Sequence, residues 1–246
     1  MSGLPNTQKA HPLSEQSDGL PVAIVTGATS GMGREIALDL ASDHRVIAVG
    51  RSTIALTELD ALPNITAHCA DLTDAVAREA LIAGVARVDV LVHSAALGGA
   101  IALEDASHAV WLQYLELDVI APAELTRLAL PHLRESQGTV IFIGSGASTR
   151  AVPGSAVYTA SKHALRGLAD VLRVDEAAHG IRVSTVAPGP TDTPMLRSSR
   201  AASGADYRAE DYIRPTSVAR AVRFVVDASP DVHISDVAVR PRRELS

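Results

Sequence analysis

From Pro21 onward, short runs of aliphatic and β-branched residues alternate with longer stretches whose apolar positions recur at helical spacing. The runs Val22–Thr26, Val46–Val49, Ile65–Cys69, Val88–Val92, Val140–Ile143, Arg182–Val186 and Val237–Val239 are compact and apolar, which predicts strands covered on both faces. Between them, Met32–Ala41 presents Ile36, Ala37 and Leu40 on one side, and Asp74–Val85 presents Val76, Ala80 and Ala83. Two longer helical segments are predicted over Ala106–Leu133 and Val157–Ala178, and a last one over Val218–Val226. Pro122 falls inside the first of these and predicts a bend or break there. Strand–helix alternation repeated this often, with short joints, requires parallel strands and right-handed crossovers. The predicted class is α/β, a doubly wound parallel sheet.

Residues 1–20 are polar, rich in Pro, Ser and Gly, and lack any sustained period, so they read as a flexible leader. No second composition regime or internal repeat follows, and residues 21–246 are expected to form one domain. The N-terminal stretch has no basic start followed by an apolar core, and no apolar run approaches the ~18 residues that cross a bilayer. The single cysteine, Cys69, forms no internal disulfide, which fits a cytoplasmic protein. The 246 residues carry 22 basic and 28 acidic side chains, a net charge of −6, which argues against a nucleic-acid partner. With one Trp, two Phe and four Tyr, the core must be built from Ala, Val, Leu and Ile.

The first predicted strand runs into Thr26-Gly27-Ala28-Thr29-Ser30-Gly31-Met32-Gly33 and then a helix. Glycines let backbone approach a pyrophosphate, and the helix's free N–H groups and positive dipole end face it. Gly27, Thr29, Ser30, Gly31, Met32 and Gly33 are therefore candidate cofactor contacts. The second strand ends Val49-Gly50-Arg51-Ser52, without the acidic residue that usually meets the adenosine ribose of NAD. Arg51 offers a permanently charged fork for a 2′-phosphate and Ser52 a hydroxyl, which favours NADP(H), with NAD(H) the alternative. Arg34 is a secondary phosphate candidate. After the third strand, Asp71-Leu72-Thr73 offers Asp71 either to an adenine amino group or to the start of the next helix.

Ser145 follows the fifth predicted strand directly, at the carboxyl end where parallel sheets open their ligand crevice. Tyr158 comes thirteen positions later and Lys162 four beyond it, so both project from one face of a helix. A phenol, with a reference pKa of ~10, exchanges protons poorly near neutrality unless its anion is stabilised, which a neighbouring ammonium does.

With these residues in place the chain resembles the short-chain dehydrogenase/reductase family from about Pro21 to Val239. The resemblance rests on the TGATSGMG turn, DLT at 71–73, Ser145 with Tyr158 and Lys162 in YTASK, and VAPGPTDTP at 186–194. It implies a Rossmann-like sheet of about seven parallel strands with helices on both faces, a nicotinamide cofactor, and hydride transfer between an alcohol and a carbonyl. It further implies Tyr158 as the general acid/base and Lys162 lowering its pKa and reaching the nicotinamide ribose. Ser145 would orient the substrate oxygen. Leu72, Ser94, Ala95, Pro188, Gly189, Thr191 and Thr193 complete the implied cofactor contacts.

Two positions depart from the family pattern. His93-Ser94-Ala95-Ala96 stands where Asn-Asn-Ala-Gly is usual, and Asp118 stands where the central helix usually carries an asparagine that shapes a backbone carbonyl near the lysine. Asp118 is expected to keep the backbone role, assisted by Pro122, and at most to retune Lys162. The nine histidines show no metal-ligand spacing, and Gly144-Ser145-Gly146 lacks the spacing of an esterase elbow. Arg240, Arg242 and Arg243 read as a solvated tail. Pro194 to about Arg214, with Met195, Leu196, Tyr207 and Tyr212, is expected to roof the pocket as a mobile lid. With Ile101 and Leu103 nearby, this suggests a mid-sized, partly apolar carbonyl or secondary-alcohol substrate. The two long helices are expected to pack across a dyad into a homodimer or homotetramer. The rival reading is a dinucleotide-binding redox sensor or assembly subunit with little turnover.

Overall fold

Side chains alternate across each strand, and on the first strand Ala23 and Val25 enter one core while Ile24 enters the other. In the computed structural model, residues 19–243 are described. The leader expected over residues 1–20 therefore lies outside the described residues for positions 1–18. Seven strands form one sheet: β1 Val22–Thr26, β2 Arg45–Gly50, β3 Ile65–Cys69, β4 Val90–His93, β5 Thr139–Ile143, β6 Arg182–Pro188 and β7 Asp236–Val239. Their order is β3-β2-β1-β4-β5-β6-β7 and every pairing is parallel, with Ile24 opposite Leu91 and Thr26 opposite Val49. This is the doubly wound, Rossmann-like class expected from the pattern. Because all strands run the same way, their carboxyl ends share one edge, and the chain reverses direction of winding between β1 and β4.

The helices are α1 Gly31–Leu40, α2 Thr53–Asp60, α3 Ala75–Ala83, α4 His108–Leu115, α5 Ala121–Ser136, α6 Ala156–Asp175, α7 Pro194–Ala202 and α8 Pro215–Val226. Ile36, Leu40, Leu59, Val218 and Val222 bury α1, α2 and α8 on one face of the sheet. Leu81, Leu125, Leu133, Leu165 and Ala169 bury α3, α5 and α6 on the other. Arg223 clamps α8 to α1 by donating to the Asp39 carboxylate at 2.8 Å and to the Asp39 carbonyl at 2.6 Å.

Several boundaries correct the sequence reading. The fourth strand begins at Val90 rather than Val88 and takes in His93. Helices α2 and α7 were not anticipated; Ser52 and Thr193 cap them, accepting from the amides of Ala55 and Leu196. The segment expected as one helix over Ala106–Leu133 starts at His108 and is interrupted by a π-turn over Glu116–Ile120. The interruption precedes Pro122, which lies in the first turn of α5. Pro122 has no N–H to return to the Asp118 carbonyl, and the ladder widens so that the Ala121 amide donates to Glu116.

His93 occupies the carboxyl end of β4 as a core residue. Its ring stacks on Phe142 with centroids 4.9 Å apart, and Nε2 lies 2.8 Å from the Thr126 hydroxyl. That hydroxyl donates to the Pro122 carbonyl, so it accepts from His93, which fixes Nε2 as the protonated nitrogen. Burial pushes the His93 pKa down from 6.5 to about 3. The unfolded chain thus binds a proton below pH 6.5 that the folded chain refuses, and stability is full above that pH and lost as pH falls toward 3. Between pH 6.5 and about 4 this linkage is worth on the order of 3 kcal/mol. His93→Asn is expected to flatten that part of the pH dependence, whatever its stability at neutral pH. Urea midpoints measured across this range would refute the assignment if the two proteins lost stability in parallel.

Candidate active site

The turn after β1 is shaped by close backbone approach. Gly27 has φ +67°, and a Cβ there would stand 2.8 Å from the Ala95 backbone. Gly31 has φ +54°, and a Cβ on it would come within 3.2 Å of Thr193 Cγ2. A Cβ on Gly33 would collide with the Gly27 carbonyl. Ser30, the N-cap of α1, makes no side-chain cap bond, so the amides of the first turn stay available at the mouth of the glycine loop. The Thr26 hydroxyl donates to the Val92 carbonyl at 3.2 Å and accepts from the amides of Ser94 and Ala95 at 3.0 and 3.2 Å. It thereby fastens the turn after β4 beside the glycine loop, a role the sequence reading did not assign to it.

These pieces frame a cleft of about 490 Å³. Gly27, Thr29, Ser30, Gly31, Met32 and Gly33 form its floor, with Arg51, Ser52, Asp71 and Leu72 toward one end. Ser94, Ala95, Leu117, Thr193 and Met195 line the other side. Of the residues singled out in sequence for the cofactor, Pro188, Gly189, Thr191, Tyr158 and Lys162 do not line this cleft. Pro188 ends β6, the Gly189 amide donates to the Val239 carbonyl at 2.7 Å, and the Thr191 hydroxyl donates to the Gly189 carbonyl at 2.9 Å.

The polar end of the cleft is open. The Arg51 side chain is 69% exposed and lies 4.0 Å from Asp71, its nearest carboxylate. The Thr73 amide and hydroxyl donate to Asp71 and hold its carboxyl below the usual carboxylate range. Asp71 therefore closes a turn, whereas the helix-starting role falls to Asp74, which accepts from the Val76 amide. Arg34 does not line the cleft and stands 3.7 Å from Glu35.

At the carboxyl end of β5, Ser145 Oγ accepts from the Ala147 amide at 3.1 Å, which leaves its O–H free to donate. Tyr158 and Lys162 share one face of α6, with Lys162 Nζ 5.8 Å from the Tyr158 ring centre. Lys162 is only 3% exposed, and its ammonium lies 3.9 Å from Asp118 Oδ2. Asp118, 1% exposed in the π-turn, accepts from the Leu97 amide at 2.8 Å and from the Ser161 hydroxyl at 3.0 Å. Burial raises its carboxyl above the ordinary range, and Lys162, Leu97 and Ser161 pull it partly back. The side chain thus has a role beside the expected backbone one: the carboxylate pairs with Lys162 at 3.9 Å.

Tyr114, which sequence reasoning passed over, is buried four residues before Asp118. Burial, and then the Asp118 and Tyr158 charges, raise its hydroxyl above the phenol range. The i, i+4 spacing to Asp118 was the available signal. Of the segment expected as a lid, Pro194 and Met195 line the cleft. Met195 at the start of α7 leans on Gly98, while Tyr207 stacks on Tyr212 at 4.9 Å and bonds Asp192, itself paired with Arg197 at 2.7 Å. His163 is exposed and turned to the Thr159 carbonyl, outside this constellation. Arg240 is half-buried and donates to the Ala187 carbonyl at 2.6 Å, so it is no loose tail residue; Arg242 and Arg243 are exposed.

Residues 21–204 match the family model for short chain dehydrogenases. The chain is 34% identical over 241 residues to an uncharacterized short-chain type dehydrogenase/reductase of Sinorhizobium fredii, covering 96% of this chain and 95% of that one. Among solved structures it is similar to actinorhodin polyketide ketoreductase with NADPH, at TM-score 0.83 and 28% identity over 91% of this chain and 97% of that one. It is also similar to the closed form of serine dehydrogenase complexed with NADP+, at TM-score 0.81 and 27% identity over 89% and 94% of the two chains.

Removing the Asp118 carboxylate strands a buried ammonium and two donors. Asp118→Ala is expected to cost about 3–5 kcal/mol of stability. Asp118→Asn keeps an acceptor for Leu97 but removes the charge beside Lys162, and is expected to cost less, about 2 kcal/mol. Chemical denaturation of both variants checks this; both remove the charge beside Lys162, so a negligible cost for both would mean that Lys162 does not depend on Asp118.

Proposed function

The chain belongs to the short-chain dehydrogenase family, and on that premise we propose that this NAD(P)-dependent oxidoreductase uses NADP(H) to interconvert a carbonyl and a secondary alcohol. The observation that carries the reading is the Lys162 ammonium, 5.8 Å from the Tyr158 ring, at the same sheet edge as the glycine cradle. The close glycine approaches and the uncapped first turn of α1 fit a dinucleotide.

Gly27, Gly31 and Gly33, with Thr29, Ser30 and Met32, would hold the pyrophosphate. Asp71 and Leu72 would meet the adenine, and Arg51 with Ser52 the 2′-phosphate. Ser94 and Ala95 would back the nicotinamide half, with Tyr158 and Lys162 on its ribose. Pro188, Gly189, Thr191 and Thr193 would face the nicotinamide end. When bound, the cofactor supplies or accepts the hydride. NADP(H) is favoured over NAD(H) by Arg51 and by the lack of an acid at the tip of β2. The NADP-bound neighbours support the same choice.

Ser145 donates its free O–H to the substrate oxygen and fixes its position. Tyr158 gives its phenolic proton to that oxygen as a carbonyl is reduced, or takes the alcohol's proton in the opposite direction. The Lys162 ammonium lies beside the ring, 5.8 Å from its centre, where its charge would offset negative charge developing on the reacting oxygens during the exchange. Asp118 holds Lys162 in place through their close charge pairing. Single-domain organisation from Pro21 onward and a cytoplasmic homodimer or homotetramer belong to the same reading. Exposed Leu112 on α4 and Val171 and Val174 on α6 support packing of those helices across a dyad.

Tyr158→Phe is expected to lower kcat about 10²–10⁴-fold while leaving the Kd for NADPH within roughly threefold. NADPH fluorescence titration paired with absorbance loss over a panel of ketones and aldehydes reads both quantities. Undiminished turnover in the variant would overturn the mechanism, and tight binding without turnover in the parent would favour a sensor. Arg51→Ala is expected to weaken NADPH about tenfold and NADH little. Equal losses for the two cofactors would remove the phosphate role.

A further inference from the structure

The loop that leaves β5 passes beneath two guanidinium groups. A Cβ placed on Gly146 would stand 3.4 Å from Arg150 Nη2 and 3.9 Å from Arg240 Nη2. The two cations reach this point from distant parts of the chain, Arg150 from the same loop and Arg240 from the residue after β7. Arg240 is aimed by its other nitrogen, since Nη1 donates to the Ala187 carbonyl at 2.6 Å and the Val239 carbonyl at 3.1 Å. Among the described residues neither arginine forms an ion pair with a carboxylate. Two like charges converging on one spot repel, and an anion between them turns that repulsion into attraction. Glycine at 146 leaves the spot free of any side chain.

The spot adjoins Ser145. Consecutive Cα atoms are about 3.8 Å apart, which puts Ser145 Oγ within roughly 8 Å of it. We infer that the substrate is a short oxo acid or hydroxy acid whose carboxylate is held by Arg150 and Arg240 while Ser145 and Tyr158 hold its reacting oxygen. The inference rests on the roles proposed above for Ser145 and Tyr158. A planar guanidinium fork matches a carboxylate in two parallel hydrogen bonds, so the pair fixes orientation as well as affinity.

The test uses the full chain with NADPH and a series of 2-, 4- and 5-oxo acids of five or six carbons, each beside its methyl ester. The acids are expected to exceed their esters at least tenfold in kcat/KM. Arg150→Gln is expected to lower kcat/KM for the acids 10–100-fold, mainly through KM, and to leave the esters within about threefold. Arg150→Lys should recover part of the loss, and added salt should raise KM for the acids alone. Arg150 carries the decision because Arg240 also holds the Ala187 carbonyl. Esters or neutral ketones reduced as well as the acids, with Arg150→Gln indifferent, would overturn the inference and leave the carbonyl reaction standing. An acid preference that survives Arg150→Gln and the double change with Arg240→Gln would overturn the assignment to this pair. Failure of the parent to oxidise NADPH with any acid, ester or neutral ketone would fell the carbonyl reaction, and the inference with it.

Discussion

A carboxylate with no access to water is tolerable only when its lone pairs and its charge are all answered, and Asp118 is answered from three directions. The Leu97 amide comes from the turn after β4, the Ser161 hydroxyl and the Lys162 ammonium from α6, and the carboxylate itself sits in the π-turn between α4 and α5. Three segments remote in sequence are thus held in one register by a single side chain. A buried ion pair is weak as a source of net stability and strong as a constraint on geometry, because losing either partner strands the other. Lys162 owes its position next to Tyr158 to that constraint. The π-turn is part of the device: it precedes a proline that cannot close the helical ladder onto the Asp118 carbonyl, so irregular backbone falls beside the charged group.

The glycine cradle obeys a different logic, that of excluded volume. Gly27 has to lack a side chain because the Ala95 backbone lies against it, and Thr193 faces Gly31 at the limit of contact. His93 shows why the departures after β4 do not dismantle this arrangement. Its ring turns into the core, onto Phe142 and Thr126, while the amides of Ser94 and Ala95 are held by the Thr26 hydroxyl. The cleft wall at this point is backbone, so it tolerates a change of side chain.

Much of this was legible in the sequence, for identifiable reasons. Strands buried on both faces announce themselves as apolar runs, and all seven were found, with ends displaced by a residue or two. Helix α2 escaped because only Leu56 and Leu59 are buried in it, too few to set a period. Helix α7 escaped because it buries none of its residues; its proline and its Thr193 cap were the remaining signals. Glycine spacing and the Tyr158–Lys162 interval are local patterns, so they survived without a structure. The side-chain role of Asp118 did not, since its partners lie 21 and 43 or more positions away.

The placement of Arg240 follows from topology. A run of arginines near the end of a chain gives no periodic signal and resembles a solvated tail. In this sheet, however, β7 pairs with β6, Val239 lies opposite Pro188, and the Gly189 amide bonds the Val239 carbonyl. The residue after β7 must therefore emerge at the carboxyl edge of the sheet, next to the turns that follow β5 and β6. Parallel pairing brings residue 240 to the neighbourhood of residue 146 as surely as it brings Ser145 there. The Ala187 carbonyl then fixes which way the guanidinium points. An arginine at this position sets a cation at that edge, beside Gly146, in a protein whose net charge is −6. The position of that cation is therefore set by where β7 ends and not by the overall field of the molecule.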